Sequence, residues 1–225
     1  MSALGTWVPS LRPSQHARFG WGRVDAFLDA VYAIAATLLV LELRPPDAED
    51  GHLAAALIDQ WPTYLVYALG FIQIVGGWGV MRRISAWSRG LDHYAMLLVM
   101  VTVLTYSLQP FTLAVLSDAV HDRDDFVAGI RLLAIVLTIS MVAFSSMMVY
   151  LRRRGLFRTD VLDPRLFEIA YRLGTTVWVW PLLALVLSFV IGSFALVPIL
   201  IFMIVSLMPI EALPAGLDET AEAAG

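Results

Sequence analysis

The chain has 225 residues, of which 59% are hydrophobic and 15% are charged, whereas a soluble domain has roughly 45–50% and about 25%. This excess of hydrophobic residues is typical of membrane proteins and excludes a soluble enzyme and a disordered chain. The net charge of −4 provides no general attraction to nucleic acid. Cysteine is absent and all fifteen basic residues are arginine, which excludes disulfides, thiolate metal sites and lysine-based catalysis.

Six stretches of the sequence are long and apolar enough to cross a bilayer, which takes about 20 mostly apolar residues per helix. In chain order they are Val24–Leu43, Leu57–Val80, Tyr94–Leu116, Phe126–Leu151, Leu166–Val190 and Phe194–Pro209. We therefore predict an all-α, polytopic membrane protein with six transmembrane helices in one membrane domain, residues 1–212. Residues 213–225 are predicted to form a short acidic tail, and residues 1–20 lack the continuous apolar run of a cleaved signal peptide.

Proline and glycine interrupt several of these spans. Pro110, Pro181 and Pro198 are expected to kink their helices, because proline lacks the backbone N–H that a helix interior needs. The second span contains four glycines that we expect to let another helix approach closely. These glycines are Gly70, Gly76, Gly77 and Gly79.

Arginine is distributed very unevenly between the two sides of the predicted bundle. Twelve of the fifteen lie in the N-terminal segment, the second-to-third connection, and the fourth-to-fifth connection or just beyond it. The remaining three lie on the opposite side among a group of seven acidic residues. Because connections rich in arginine stay in the cytoplasm, we predict that both termini are cytoplasmic and that the protein is a multi-pass protein of the cell membrane.

No arrangement of residues suited to catalysis, or to binding a metal ion or a cofactor, is visible in the sequence. The four histidines have no spacing that would hold a haem or a metal within a bundle. The clearest ionisable residue inside a span is Asp29, about one turn inside the first helix. A carboxylate in a membrane is costly and is a candidate for function, although a hydrogen bond that fixes helix packing is equally open.

The first helix carries a stripe of side chains that repeats with the helical period. At 100° per residue, the following residues share one face: Arg23, Phe27, Ile34, Thr37, Leu38 and Leu41. Asp29 lies about 140° from Ile34 around the helix, on a face of small or slim side chains expected to pack against neighbouring helices. The stripe would meet lipid or another helix in a monomer, and could line an axis in a rotationally symmetric oligomer.

The segment that contains this stripe resembles the signature of the transmembrane protein 175 family, the endosomal and lysosomal potassium channels and their bacterial relatives. That signature is a basic residue, three further positions and Phe-Ser-Asp, followed by an alanine-rich helix that ends in Leu-Leu-Val-Leu-Glu. Arg23, Phe27 and Asp29 match it, and so does the helix end at residues 38–42. Trp78 late in the second span and the Pro110-Phe111 pair in the third also resemble the family.

Two positions and one missing residue type depart from the family pattern. Leu28 replaces the serine, and Met81 stands where the family usually has a histidine. The family also has an asparagine early in the third span, and this sequence contains no asparagine. In the family these polar groups form a network near the cytoplasmic side. We therefore expect Asp29 to pair here with Arg23, Arg82 or His93.

The resemblance implies a homotetramer in a lipid bilayer that conducts potassium and other monovalent cations, with no cofactor and no nucleic-acid partner. Four first helices would surround the pore. Ile34, Leu38 and Leu41 would form its constriction, Thr37 a layer of hydroxyl groups, and Glu42 an acidic outer mouth that favours cations. The sequence has no Thr-Val-Gly-Tyr-Gly-like filter segment, so selectivity would come from the cost of partial dehydration, with a modest preference for potassium.

Two other functions stay open from the sequence. One is a secondary transporter coupled to protons through Asp29, although we find no convincing three-plus-three repeat and six spans are few for that class. The other is a non-conducting membrane scaffold or accessory subunit. Flux that saturates and follows a proton gradient would indicate the transporter, whereas a dimer, or an axis with no open state, would indicate the scaffold.

Overall fold

The computed structural model of the chain describes residues 19–47, 50–159 and 162–206. Within these ranges the chain is helical and its only β-type pairings are two isolated bridges, which confirms the predicted all-α class. The helices are α1 (Trp21–Leu38), α2 (Leu53–Asp59), α3 (Trp61–Trp87), α4 (His93–Ser107), α5 (Gln109–Asp118), α6 (Arg123–Arg153), α7 (Pro164–Thr176), α8 (Val179–Leu187) and α9 (Leu196–Ser206). The 3₁₀ segments are Leu39–Glu42, Ala119–His121 and Gly192–Ala195. The predicted domain boundary at residue 212 and the tail at 213–225 lie outside the described residues.

Five stretches among the described residues are long and apolar enough to cross a membrane. They are Trp21–Glu42, Trp61–Trp87, His93–Asp118, Arg123–Arg153 and Pro164–Leu187, which correspond to the first five predicted spans. The second is longer at its C-terminal end than predicted and is preceded by the separate helix α2. The sixth predicted span corresponds to a shorter apolar stretch, Gly192–Ile204, and its last residues lie outside the described part of the chain. A sixth crossing therefore stays a prediction.

Each of the three prolines lies in the first turn of a helix, just after a break in its predicted span. The break between α4 and α5 falls just before Pro110, which lies in the first turn of α5. The break between α7 and α8 likewise precedes Pro181, the third residue of α8. Pro198 is likewise the third residue of its helix, α9, which follows the 3₁₀ segment Gly192–Ala195. A proline there breaks no hydrogen bond, because the first backbone N–H groups of a helix have no partner within it.

Helix α6 forms the centre of the bundle and α1 lies at its edge. In the most apolar window of α6, 61% of the residues are buried, against 33% in the window that contains α1. Helix α6 packs against α4, α5, α7 and α8, whereas α1 packs mainly against α3 and α4. The described residues therefore leave one side of α1 open.

Three connections are joined by backbone hydrogen bonds at one end of the bundle. The Phe19 N–H donates to the Leu91 carbonyl (2.6 Å) and the Leu91 N–H donates to the Phe19 carbonyl (3.0 Å). The Arg89 N–H donates to the Leu156 carbonyl at 2.8 Å, which ties the α3–α4 connection to the α6–α7 connection. These segments belong to the three regions in which the arginines concentrate, so they meet at one end, as predicted. We call this end the arginine-rich end.

The opposite end contains the turn between α8 and α9. Gly192 has φ of +60°, a backbone conformation that favours glycine. A Cβ atom added there would lie 3.7 Å from Val127 and 3.9 Å from the Arg123 guanidinium, both in the first turns of α6. The turn around Gly192–Ser193 contains no charged residue and packs beside the start of α6.

The glycines of α3 differ in what surrounds them. A Cβ atom at Gly77 would lie 2.6 Å from the ring of Tyr106, and one at Gly70 would overlap the side chain of Leu113. The predicted close approach of another helix is confirmed at these two positions. At Gly79 no atom of the described residues lies within 4 Å of an added Cβ atom.

We predict that Gly77→Ala lowers the thermal midpoint of the detergent-purified protein, because the Tyr106 ring must move. Overpacking of this kind typically costs about 1–3 kcal/mol. The matched control is Gly79→Ala, which adds the same methyl group to open space and should leave the midpoint unchanged or slightly raised. Equal midpoints for the two variants would contradict the described packing of α3 against Tyr106.

Candidate functional site

Helix α1 is divided lengthwise into a buried face and an exposed face. The buried face packs against α3, α4 and α5 through residues that recur about every three or four positions. Its members are Trp21, Val24, Leu28, Tyr32, Ala35, Ala36 and Leu39. Its two small residues, Ala35 and Ala36, are consecutive and let the backbone of α1 approach its neighbours closely near its C-terminal end.

The stripe identified in the sequence lies on the exposed face of α1. Ile34 is 58% exposed, Leu38 42% and Leu41 68%. Thr37 and Arg23 are also exposed, and Phe27 contributes a further large apolar side chain. The described residues of the same chain therefore leave this face largely uncovered.

The helix changes geometry before the stripe ends. Residues Leu39–Glu42 form a 3₁₀ segment, in which successive residues advance by about 120° rather than 100°. Over the three residues from Leu38 to Leu41 this turns Leu41 about 60° further around the axis. Leu41 is therefore displaced from the uniform stripe that the sequence predicts, although it is the most exposed of the three aliphatic residues.

The hydroxyl group of Thr37 is held by its own helix. It lies 3.0 Å from both the Ala33 and the Ile34 carbonyl oxygens, to which it donates. A threonine hydroxyl has one hydrogen and two acceptor lone pairs. Because the hydrogen is used within the helix, the oxygen remains available as an acceptor on the exposed face.

Asp29 is bound to α3 by two side chains. The indole N–H of Trp78 donates to one carboxylate oxygen of Asp29 at 2.7 Å. The other carboxylate oxygen lies 3.9 Å from the guanidinium of Arg82. Of the three partners expected for Asp29, the structure thus brings Arg82 within ion-pair distance. It also joins Asp29 to Trp78, two positions at which the sequence matches the family pattern.

Two further hydrogen bonds continue this connection between α1 and α3. The Ser85 hydroxyl donates to Asp25 at 2.5 Å, and the indole N–H of Trp21 donates to the Ser88 hydroxyl. We call the three contacts Trp21–Ser88, Asp25–Ser85 and Asp29–Trp78 the α1–α3 ladder. Sequence reasoning missed four of its members. The available signal was the four-residue spacing of Trp21, Asp25 and Asp29, which keeps them on one side of α1.

The two positions that depart from the family pattern are buried in the hydrophobic core. Leu28 and Met81 are each 2% exposed and belong to the same apolar cluster. Neither side chain has a polar group that would need a partner. The polar contacts between α1 and α3 are therefore made by the ladder, beside this apolar contact region.

The charged residues at the two ends of α1 have different surroundings. The hydrogen bonds of Asp25 and Asp29 run to α3 rather than to Arg23, which is exposed on the stripe. At the opposite end, Glu42 closes the 3₁₀ segment and is half-buried. The exposed face of α1 thus begins with a positive charge and ends near a negative one.

We predict that Ser85→Ala destabilises the protein, because the Asp25 carboxylate loses its donor while its other oxygen is already buried without a partner among the described residues. Leaving such a group unsatisfied costs about 1–3 kcal/mol, measurable as a lower thermal midpoint. Ser107→Ala is the control, since the Ser107 hydroxyl is exposed and bonds only the Leu104 carbonyl of its own helix. If both variants unfold at the same temperature, the Asp25–Ser85 bond does not contribute to stability.

The chain is similar to known proteins in sequence and in structure. A profile of the family described as "Endosomal/lysosomal potassium channel TMEM175" matches residues 23–110. A potassium channel of Streptomyces collinus is 33% identical over 159 residues, which cover 68% of this chain and 77% of that protein. A potassium channel of Chamaesiphon minutus is 34% identical over 129 residues, covering 54% and 61%.

The fold also matches a solved structure. The crystal structure of a lysosomal potassium-selective channel TMEM175 homolog from Chamaesiphon minutus superposes with a TM-score of 0.67 at 24% sequence identity. The match covers 82% of this chain and 95% of that chain. At this level of identity the likeness concerns the fold.

Proposed function

Because the chain belongs to the TMEM175 family of ion channels, and is therefore not an enzyme, we propose that it is a potassium-preferring cation channel whose pore is lined by α1. Two bacterial relatives are named potassium channels, which supports potassium as the conducted ion. The observation that carries the assignment to α1 is the exposure of its aliphatic stripe while the opposite face is packed. The proposed location is the cell membrane, with both termini in the cytoplasm and the arginine-rich end on that side.

The proposed assembly is a homotetramer with a four-fold axis along the four copies of α1. Helix α1 lies at the edge of the subunit, so its open face can meet the same face of other copies around an axis. The α1–α3 ladder fixes which face points away from the subunit. The ladder residues on α1 therefore serve to orient that helix, and none of them needs to touch an ion. They are Trp21, Asp25 and Asp29.

In this arrangement the constriction consists of aliphatic side chains. Ile34 and Leu38 are four residues apart, which places their layers about 6 Å apart along the pore. Such rings have no oxygen atoms to replace the water around an ion, and a narrow apolar ring closes a pore by excluding water. Slight widening rehydrates it. Potassium sheds its water more readily than sodium, so the cost of partial dehydration favours potassium to a modest degree.

Thr37 supplies the one layer of oxygen atoms between these aliphatic residues. Its hydroxyl hydrogen bonds the helix backbone, and its oxygen can face a partly dehydrated cation. Four such oxygens, one from each copy, would offset part of the dehydration cost. Glu42 raises the local cation concentration at the outer mouth, whereas Arg23 opposes cations at the inner mouth.

A measurement of reversal potential in planar bilayers tests the proposed function directly. The purified protein is reconstituted between unequal potassium and sodium solutions, and current is recorded as the voltage is varied. We expect the current to reverse at a voltage between zero and the potassium equilibrium potential. Flux that saturates and follows a proton gradient would identify a transporter using Asp29 instead, and an electrically silent protein would identify a scaffold.

We predict that Ile34→Asn increases potassium flux into liposomes by severalfold, because an amide in the constriction holds water in the pore. The matched control is Ile169→Asn, which makes the same chemical change at a 51% exposed position of α7, outside the proposed pore. It should conduct like the unmodified protein at equal protein density. Unchanged flux in Ile34→Asn would contradict the assignment of α1 to the pore.

We predict that Thr37→Val lowers potassium conductance severalfold and moves the potassium-to-sodium permeability ratio toward one. Valine keeps the shape of threonine but removes the oxygen that offsets dehydration. Single-channel recordings with each cation measure both quantities. Thr138→Val is the control, because the Thr138 hydroxyl also bonds its own helix backbone, at 2.6 Å to Ala134, but lies on α6. Retained selectivity in Thr37→Val would exclude a role for this oxygen.

A further inference from the structure

A cavity of about 130 Å³ lies inside the subunit, behind the proposed pore helix. It is bounded by α3, α4, α6, α7, α8 and α9, and Tyr32 on the buried face of α1 contributes to its wall. The lining is mainly apolar. Its buried apolar side chains include Ile84, Met141, Phe144, Met148 and Phe202.

The wall of the cavity includes residues of α3 and α7 that are exposed on the outside of the bundle. Ile72 on α3 and Leu173 on α7 both line it and are 39% and 40% exposed. Both residues lie within helices long and apolar enough to cross a membrane. The medium outside this part of the wall is therefore hydrocarbon, from which an apolar molecule could enter between α3 and α7 without crossing water.

The size and lining of the cavity favour a hydrocarbon guest over water. An apolar cavity of about 150 Å³ in a soluble protein stays dry and binds benzene. A short run of methylene groups has a comparable size. It would gain dispersion contacts with the aromatic and sulfur-containing side chains of the wall, whereas the polar side chains that water would need, such as Tyr32, Gln73 and Thr102, are the minority of the lining.

The position of the one charged lining residue indicates how such a guest is oriented. Arg83 lines the cavity on the part of α3 that leads to the arginine-rich end. The α3 lining residues extend from Ile72 to Trp87, which is about 22 Å along a helix. One leaflet of membrane hydrocarbon is about 15 Å thick, half of the bilayer core. The lining therefore runs from the depth of acyl chains to the level of the headgroups.

We propose that this cavity binds part of one acyl chain of a membrane phospholipid, whose phosphate lies near Arg83. The second acyl chain stays in the bilayer outside the opening between α3 and α7. The bound chain packs behind α1 against Tyr32, so it stabilises the buried face of that helix. This site is separate from the stripe, and its occupancy does not depend on whether α1 lines a pore.

Photolabelling of the full-length protein in vesicles tests the proposal. The probe is phosphatidylglycerol with a diazirine in one acyl chain, and labelled peptides are identified by mass spectrometry. We expect labelling to concentrate on cavity residues of α6 and α7, such as Phe144, Met148 and Gly174. An excess of unlabelled phosphatidylglycerol should suppress this labelling. Labelling spread over the helices in proportion to their exposure would overturn the proposal.

A cavity-filling variant provides the second arm of the test. A Cβ atom at Gly174 would lie 3.4 Å from Phe144 and 3.5 Å from Met148, so Gly174→Leu extends into the cavity. We expect at least a fivefold loss of cavity labelling. Ile169→Phe adds bulk to the 51% exposed outer side of the same helix and should label like the unmodified protein. If Gly174→Leu does not fold, Ala170→Leu fills the same cavity from α7.

Three results would show that the cavity has another occupant or none. Unchanged labelling in a folded cavity-filling variant would exclude a chain in this cavity. Cavity labelling by a diazirine fatty acid but not by the phospholipid would identify a free fatty acid. Crosslinks between copies through Ile72 or Leu173 would show that a second copy covers the opening. Because each readout is binding, none depends on ion conduction.

Discussion

The rotational setting of α1 is the constraint on which the remaining functional features depend. In a membrane, lipid tails are as apolar as leucine, so apolar contacts alone weakly determine which face of a helix meets its neighbours. The α1–α3 ladder supplies the directional contacts: two carboxylates and a tryptophan of α1 bond partners on α3. With Asp25 and Asp29 held in this way, the aliphatic stripe must point away from the subunit. The same ladder keeps Leu28 in the core.

The apolar residues Leu28 and Met81 illustrate that the cost of losing a buried hydrogen bond depends on whether one or both partners are replaced. Removing one partner of a buried hydrogen bond leaves the other unsatisfied, whereas replacing both by apolar groups of suitable shape can be nearly neutral. This chain has apolar residues at both positions, and both are buried in one cluster. The polar contacts that remain, between Asp29, Trp78 and Arg82, lie beside this cluster and are partly exposed.

Local sequence patterns predicted much of the fold. The lengths of the apolar stretches gave the first five candidate spans, and the division of the third at Pro110 follows from the missing N–H of proline. Helical geometry likewise predicted the stripe that contains Ile34, which is exposed. Of the slim side chains on the Asp29 face that we expected to pack, Ala36 is buried, whereas Ala33 and Val40 are exposed. The separate helix α2 was not predicted, because the apolar run at Leu57 reads continuously into α3. The 3₁₀ end of α1, which displaces Leu41, has no local signal. Ser85 and Ser88 could not be recognised as partners of Asp25 and Trp21, because such pairs depend on how two distant helices align.

The backbone ties at the arginine-rich end have a mechanical consequence. They join the segment before α1 to the α3–α4 connection, and that connection to the one between α6 and α7. The N-terminal end of α1 is therefore held to the rest of the bundle, whereas its C-terminal end continues into a short 3₁₀ segment with poorer hydrogen-bond geometry. If α1 bends, it bends about this held N-terminal end, and the displacement of its residues increases toward Leu41. The most exposed leucine then travels furthest, while Arg23 hardly moves.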